Sequence, residues 1–160
     1  ASPVFIDDEL ANSTQNYELK TGDILITMTG TRKKKDYCFT LLLSEGHFKN
    51  GIRLFLNQRV GCFNLASQIS NEFIVKILKL PFVLEPVFQT ATGSANQANI
   101  GKGALINITI PLPPLSEQTA IVARVEAMLE RVSALEAESA RQRAWAEGLL
   151  QAALREAMGG

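Results

Sequence analysis

The feature that most constrains the fold is a long heptad-like pattern in the last third of the sequence. From residue 121 onward, residues spaced alternately four and three apart share one helical face. Its first five members are Ile121, Val125, Met128, Val132 and Leu135. It continues through Ser139, Gln142, Ala146, Leu149 and Ala153, and is polar around residues 139–143. A repeat near 3.5 residues predicts a helix that packs against another helix in a coiled-coil-like seam.

The residues before this pattern predict where the helix begins. Pro113 and Pro114 oppose a helix through them, because proline lacks the backbone N–H and its ring clashes with the preceding turn. Ser116 is placed to act as the N-cap, and the carboxylate of Glu117 is favourable at a positive helix start. The sequence therefore predicts a helix that begins near Glu117.

The end of the helix is equally clear. Arg155 provides a cation in the last turn, and Gly159 and Gly160 follow Met158. At ~1.5 Å per residue, residues 117–158 make a helix on the order of 60 Å long. A domain of ~110 residues, with a radius of gyration near ~13 Å, is too small to cover it. The alternative to a coiled-coil-like seam is an amphipathic helix that folds back onto its own domain.

Composition favours an ordinary globular protein. The 160 residues are 46% hydrophobic and 20% charged, and the formal net charge is zero. No apolar run reaches the length of a membrane span, and the residues from Ala1 onward do not have the charged-then-apolar pattern of a secretion leader, so we expect a cytoplasmic protein without a membrane segment. Cys38 and Cys62 are then expected to be buried, reduced thiols.

The zero net charge conceals an uneven distribution. From residue 117 onward there are five arginines and seven glutamates, which gives 5 − 7 = −2. The preceding part has 16 − 5 = 11 basic and 16 − 7 = 9 acidic residues, or +2. Its most concentrated basic segment is Arg32, Lys33, Lys34 and Lys35.

Before the tail, strand and helix patterns alternate. Apolar alternation predicts strands over residues 24–29, 37–43, 52–63 (interrupted at 57–59) and 106–110. The first two form a hairpin with a basic tip. Helical spacing predicts one helix from Ser70 or Asn71 to Pro81 and another from Pro81 that Pro86 breaks or kinks. Residues 90–103 read as a long loop. The predicted class contains both helices and strands, α/β in the broad sense and α+β in the strict one. It has a twisted mixed or antiparallel sheet, short helices and the long C-terminal helix.

The sequence offers little for catalysis. His47 has no evident acid or nucleophile partner, and no His or Cys spacing matches a metal site, so neither cofactor nor metal is expected. Lys102 lies between two glycines, but a P-loop requires a glycine where Asn96 stands and a Ser or Thr after the lysine. We therefore expect a non-catalytic protein.

Two loops and one arginine are candidates for nucleic-acid binding. The basic segment 32–35, with Thr31 beside it, could neutralise phosphates, as could Lys102. Asn96, Gln97 and Asn99 carry amides that match the major-groove edge of adenine, and Arg59 could match guanine. The alternative is that both loops are simply hydrated.

The segment NITIPLPPLSEQTAIVARVEAMLERV, residues 107–132, closely resembles a signature of specificity subunits of type I restriction–modification systems. In that family it links a target-recognition domain to a conserved long helix. Further segments agree in order, namely KTGDILITMTGT (20–31), FLNQRV (55–60), TGSANQANIGKGAL (92–105) and the terminal LLQAALREAMGG. Together they cover nearly the whole chain.

The resemblance implies a role in DNA recognition. Specificity subunits carry two recognition domains, each of which reads half of a bipartite target, and two long helices that pack antiparallel as a spacer. Methyltransferase subunits hold this assembly, and a restriction and translocase subunit joins it. The present sequence has one recognition unit and one helix, and it begins well inside the recognition domain, which implies that N-terminal strands are missing.

From this we predict a recognition domain over residues 1–113 and a spacer helix over 114–160. The helix would pair antiparallel with a second recognition domain's helix or with a second copy. Its expected interface residues are Ile121, Val125, Met128, Val132, Leu135 and Leu149. The expected DNA-binding residues are Thr31, Arg32, Lys33, Lys34, Lys35, Arg59, Asn96, Gln97, Asn99 and Lys102. The competing hypothesis is a protein-interaction module that assembles a complex through its helix and does not touch DNA.

Overall fold

The computed structural model describes residues 4–94 and 96–159, and it confirms the predicted α+β class. The strands are β1 (Ile24–Thr27), β2 (Thr29–Gly30), β3 (Thr40–Leu42), β4 (Val60–Phe63) and β5 (Ala98–Asn99). The α-helices are α1 (Asp8–Ser13), α2 (Asn71–Ile77), α3 (Pro81–Gln89), α4 (Lys102–Ile106) and α5 (Leu115–Met158). Short 3₁₀ segments span Gln15–Tyr17 and Glu45–Gly51. Among the described helices, none combines the length and apolar character needed to cross a membrane.

The chain divides into two compact units, Ala1–Thr119 and Ala120–Gly160. The first unit contains the five strands, α1 to α4 and the opening turn of α5. The second unit is the remainder of α5.

The main sheet is organised around β1, which lies between β3 and β4 and pairs antiparallel with both. Ile24 is opposite Leu42 on one side and Phe63 on the other. Ile24 and Ile26 are fully buried, whereas Leu25 is partly exposed, because successive side chains of a strand point to opposite faces. The predicted pairing of the first two strand segments is confirmed, and residues 32–35 lie in the connection between them.

The hydrophobic core packs β1 against α3 and the segment around β5. Its buried members are Ile26, Tyr37, Cys38, Leu84, Val87, Ala91, Ala98, Ile100 and Leu105. The predicted start of the helix behind Ser70 is also confirmed, although α2 ends at Ile77 rather than at Pro81. The Ser70 side chain accepts a hydrogen bond from the backbone N–H of Phe73 at 3.2 Å, so it caps α2.

Pro86 lies inside α3 but does not break it, since the helix runs from Pro81 to Gln89. Pro86 itself is exposed, whereas Val83, Leu84 and Val87 are buried. Burial of these three apolar side chains offsets the one backbone N–H that proline lacks. Of the two alternatives predicted at Pro86, a break or a kink, the break is therefore wrong.

The predicted strand over residues 106–110 is also wrong. Residues 102–106 form α4, and residues 107–114 have no regular secondary structure. The carbonyl of Gly103 accepts hydrogen bonds from the side-chain Nδ2 of Asn107 at 2.9 Å and from its backbone N–H at 3.2 Å. These bonds complete the helical turn and end it. Residues 90–103 are consequently not one loop, because they contain β5 and the start of α4.

Three predicted strands are shorter than expected. Residues 24–29 divide into β1 (Ile24–Thr27) and the start of β2 at Thr29. Of residues 37–43 only Thr40–Leu42 is strand, and of residues 52–63 only Val60–Phe63. Cys38 is buried as predicted, and burial raises its pKa to about 11. Cys62 is exposed, which contradicts the prediction. It is opposite Leu25, and cross-strand partners share a face, so Cys62 points to the partly exposed face of the sheet.

The long helix α5 is continuous over 44 residues, which at about 1.5 Å per residue is roughly 65 Å. It begins at Leu115 rather than Glu117, because the carbonyl of Pro114 already accepts from the N–H groups of Glu117 and Gln118. Ser116 is therefore inside the helix and is not its cap. The predicted end is confirmed, and the N–H of Gly159 donates to the Arg155 carbonyl at 3.0 Å.

Candidate nucleic-acid interface

The backbone of Met28 joins the three segments that carry the predicted DNA-binding residues of the first unit. Its N–H donates to the carbonyl of Arg59 at 2.9 Å, and its carbonyl accepts from the N–H of Ile100 at 2.8 Å. Immediately after it, β2 pairs antiparallel with β5, with Thr29 opposite Asn99. The loops at residues 31–36 and 92–99 and the backbone of Arg59 are thus held beside one another.

The basic loop is closed by Asp36. Its carboxylate accepts a hydrogen bond from the backbone N–H of Thr31, and the N–H of Lys35 donates to the Thr31 carbonyl at 2.9 Å. The bond from Thr31 lowers the pKa of Asp36, and the nearby charge of Lys34 acts in the same direction. The loop turns back so closely that a Cβ on Gly30 would lie 2.7 Å from the Asp36 carbonyl oxygen. This position therefore requires glycine.

The amide-rich loop is equally tight. Thr92 and Asn99 exchange two backbone hydrogen bonds of 3.0 and 2.9 Å, which close the loop at its base. Gly93 has φ +111°, and a Cβ there would lie 2.3 Å from the carbonyl oxygen of Gln97. Asn96 and Gln97 are exposed at the loop, and Asn99 is half-buried in β5. The loop thus presents amide side chains from a constrained backbone.

Five cations in these segments are exposed and make no ion pair or side-chain hydrogen bond with any residue in the described ranges. They are Arg32, Lys33, Lys34, Arg59 and Lys102. Lys102 is the first residue of α4, and Thr31 is half-buried at the start of the basic loop. The structure thus brings the predicted cations and amides together on adjoining segments.

Lys35 differs from the other cations of its loop. Its Nζ lies 2.7 Å from Oε2 of Glu85 and 5.1 Å from the centre of the Phe88 ring. Nothing in the sequence indicated this contact, because Glu85 is 50 residues away.

Gln118, like Glu85, is a residue that the sequence analysis did not single out. It is only 1% exposed, and its Oε1 accepts from the N–H of Ser70 at 2.9 Å. Its Nε2 donates to the carbonyls of Pro113 at 2.8 Å and Gln68 at 3.4 Å. These bonds fix the opening turn of α5 within the first unit. The only local signal for this role of Gln118 was its position shortly after Pro113 and Pro114.

The predicted helix-interface residues lie on α5, in the second unit, and do not belong to the loop cluster. Their exposed fractions are 37% for Ile121, 57% for Met128, 49% for Val132, 70% for Leu135 and 50% for Leu149, and Val125 is half-buried. An apolar series therefore remains exposed along this helix. In the polar middle, Arg141 pairs with Glu138 at 2.9 Å.

Other reactive groups have structural partners or are dispersed. Nδ1 of His47 accepts from the N–H of Ser44 at 3.0 Å, as part of the capping box of a 3₁₀ segment. Within residues 4–94 and 96–159, no three His, Cys, Asp or Glu side chains are grouped as metal ligands would be.

The fold and this cluster define an α+β binding domain with a long C-terminal helix. Residues 5–142 match the model of the type I restriction modification DNA specificity domain. The chain belongs to this family, as its sequence motifs predicted. Its role is therefore DNA target recognition in a type I restriction–modification system, and the specificity domain is a recognition domain rather than a catalytic one. No curated protein gave a significant match.

Proposed function

We propose that this chain reads one half of a bipartite DNA target through the loop cluster around Met28. The observation that carries the proposal is the convergence of the two loops and Arg59 through the hydrogen bonds of Met28 and the β2–β5 pair. A duplex presents phosphates and base edges within a few ångströms of each other, so a reader needs cations and amides side by side. Family membership supports DNA as the partner.

The side chains in this cluster divide by chemistry into two groups. Lys33, Lys34 and Lys102 are point charges on exposed segments and would contact phosphates. Arg32, Arg59, Asn96, Gln97 and Asn99 have planar groups that can form paired hydrogen bonds with base edges, and a subset of these would read the sequence. Lys35 is set apart by its contact with Glu85.

The second part of the proposal concerns α5. We infer that residues 114–160 form the spacer, which pairs antiparallel with the helix of a second recognition domain or of a second copy. Its exposed apolar series supports this, since such a face gains stability when it is covered. Methyltransferase subunits would bind this assembly, and the restriction and translocase subunit would join it, in the cytoplasm.

Binding to duplex DNA at several salt concentrations tests the first part. Fluorescence anisotropy with a labelled duplex is expected to show affinity that falls as salt rises, with a smaller slope in the K33Q and K34Q variants. Substitution of a base reader such as N99A should instead relax the preference at one position. Affinity that does not respond to salt would favour the protein-interaction hypothesis.

Reconstitution with methyltransferase subunits tests the second part. Mapping of methylated sites in a genome is expected to reveal a bipartite sequence, and substitutions in the loop cluster should alter one half of it. A variant of the loop cluster that leaves the methylated sequence unchanged, while the complex still forms, would contradict the assignment of these loops.

A further inference from the structure

We infer that Glu85 is a positioning residue that holds Lys35 away from DNA, so that only three of the four cations at residues 32–35 are free to contact DNA. The inference rests on the proposed function, because it concerns how the same loop binds DNA. The inference distinguishes Lys35 from the other three cations of a segment that looks uniformly basic in the sequence.

Three contacts fix Lys35. Its backbone has φ +51°, and its N–H donates to the Thr31 carbonyl at 2.9 Å, so the main chain is held within the turn. Its Nζ lies 2.7 Å from Oε2 of Glu85. The same Nζ lies 5.1 Å from the centre of the Phe88 ring, at a distance suited to a cation–π contact.

The residues that receive Lys35 are themselves held in place. Glu85 and Phe88 are both on α3, which is anchored in the core by the buried residues Val83, Leu84 and Val87. Phe88 also meets the ring of Tyr37 edge-on, with the centroids 5.1 Å apart, and Tyr37 is 2% exposed. Lys35 therefore docks onto a preformed surface of α3, whereas no equivalent partner is present for Lys33 or Lys34 among the described residues.

The electrostatic consequence follows from charge balance. Transfer of Lys35 from Glu85 to a phosphate would leave the Glu85 carboxylate unpaired beside a polyanion. About half of each side chain is exposed, so water and salt screen the pair, but its net charge stays close to zero. A neutral pair releases no counterions, so it adds nothing to the salt dependence of binding.

The test compares salt dependences of the 160-residue chain on one fluorescein-labelled duplex. Each phosphate contact contributes about 0.9 to the slope of log affinity against log salt, which is roughly three- to fourfold in affinity between about 50 and 200 mM salt. The slope for K33Q is expected to be smaller than the parent slope by about 0.9. The double variant K35Q/E85Q should keep the parent slope, because it removes a pair with no net charge. The slope for E85Q should be steeper than the parent slope by the amount of about one phosphate contact, because the substitution frees Lys35.

The double variant K35Q/E85Q shows whether Lys35 stays paired with Glu85 or contacts phosphate when DNA binds. If Lys35 contacts phosphate, K35Q/E85Q will lose as much slope as K33Q, and the inference is overturned. An E85Q slope equal to that of the parent overturns it as well. K49Q, which changes an exposed lysine in the connection between β3 and β4, serves as the control and should leave the slope unchanged. Thermal melts by circular dichroism show whether each variant is folded.

Failure of the proposed function has a different signature. If the parent chain shows no salt-dependent binding to duplex, the DNA-reading assignment itself fails. If the parent binds with a clear slope but Lys35 behaves like Lys33, only the role of Glu85 is rejected.

Discussion

The side-chain oxygen of Gln118 accepts a hydrogen bond from the backbone N–H of Ser70, at a distance of 2.9 Å. This contact joins the opening turn of α5 to the start of α2, because Ser70 is the N-cap of α2. A polar side chain that is 1% exposed is stable only when its hydrogen-bonding groups are satisfied, and here both ends of the amide have partners. Within the first unit, the opening turn of α5 is thus held by one buried amide.

Replacement of Gln118 by alanine is expected to destabilise the first unit. The substitution leaves the Ser70 N–H and the carbonyls of Pro113 and Gln68 without this partner, and we expect a loss of about 2–4 kcal/mol in the free energy of unfolding. Alanine favours helix slightly more than glutamine, so helix propensity cannot account for such a loss. Urea denaturation measures it. Q151A, at an exposed glutamine of α5, is the control and should change stability by less than about 0.5 kcal/mol.

Local signals in the sequence predicted several elements well. The cap at Ser70 and the apolar spacing behind it predicted α2, and the paired glycines at the end predicted where α5 stops. Errors arose where local preference competed with packing. Pro86 indicated a break or a kink, but α3 continues through it with one face buried. The β-type residues 106–110 indicated a strand, but Ile106 ends α4 and residues 107–110 have no regular secondary structure.

The candidate site was predictable in its residue types but not in its arrangement. A basic run and an amide-rich loop are visible in the sequence, yet nothing local shows that Met28 binds Ile100, 72 residues further on. Likewise, the partners of Gln118 in the segment before α2 are 48 and 50 residues away, so no local pattern indicated its burial. Which cations are free depends on such long-range contacts, as the pair of Lys35 and Glu85 shows.

Two glycines of the amide-rich region should respond in opposite ways to alanine. Gly93 has φ +111°, and its Cβ would lie 2.3 Å from a carbonyl oxygen, so G93A is expected to cost about 1–3 kcal/mol and to weaken DNA binding. Gly103 is inside α4 and a Cβ there meets nothing within 4 Å, so G103A should stabilise by about 0.5–1 kcal/mol. Thermal and urea unfolding of the two variants provide the comparison. Equal effects of the two substitutions would contradict the assigned loop geometry.

The closure of the basic loop by Asp36 predicts a pH-dependent contribution to stability. The hydrogen bond from Thr31 lowers the pKa of Asp36 below its ordinary value of 3.8. The stabilisation is therefore complete above pH 3.8 and is lost as the pH falls through the lower pKa of the folded state. We expect D36N to be less stable than the parent at neutral pH, with a difference that shrinks in acid.

Urea unfolding from neutral pH down to about pH 2 measures this difference for Asp36. E147Q removes one negative charge from α5, outside the loop, and controls for the change in net charge. A D36N deficit that is constant across the whole range would show that the carboxylate's charge plays no part in closing the loop.

The apolar series on α5 predicts self-association through the long helix. Size-exclusion chromatography with light scattering is expected to give twice the chain mass of 17.5 kDa for the parent. The triple variant V125E/M128E/V132E places three carboxylates in the seam, where burying an unpaired charge is strongly unfavourable, and should be a monomer. A123E/A134E/A137E adds the same charge to the opposite face of the helix and should remain a dimer. A parent that stays monomeric at high concentration, or a dimer that survives the seam substitutions, would rule out pairing of two copies through this face.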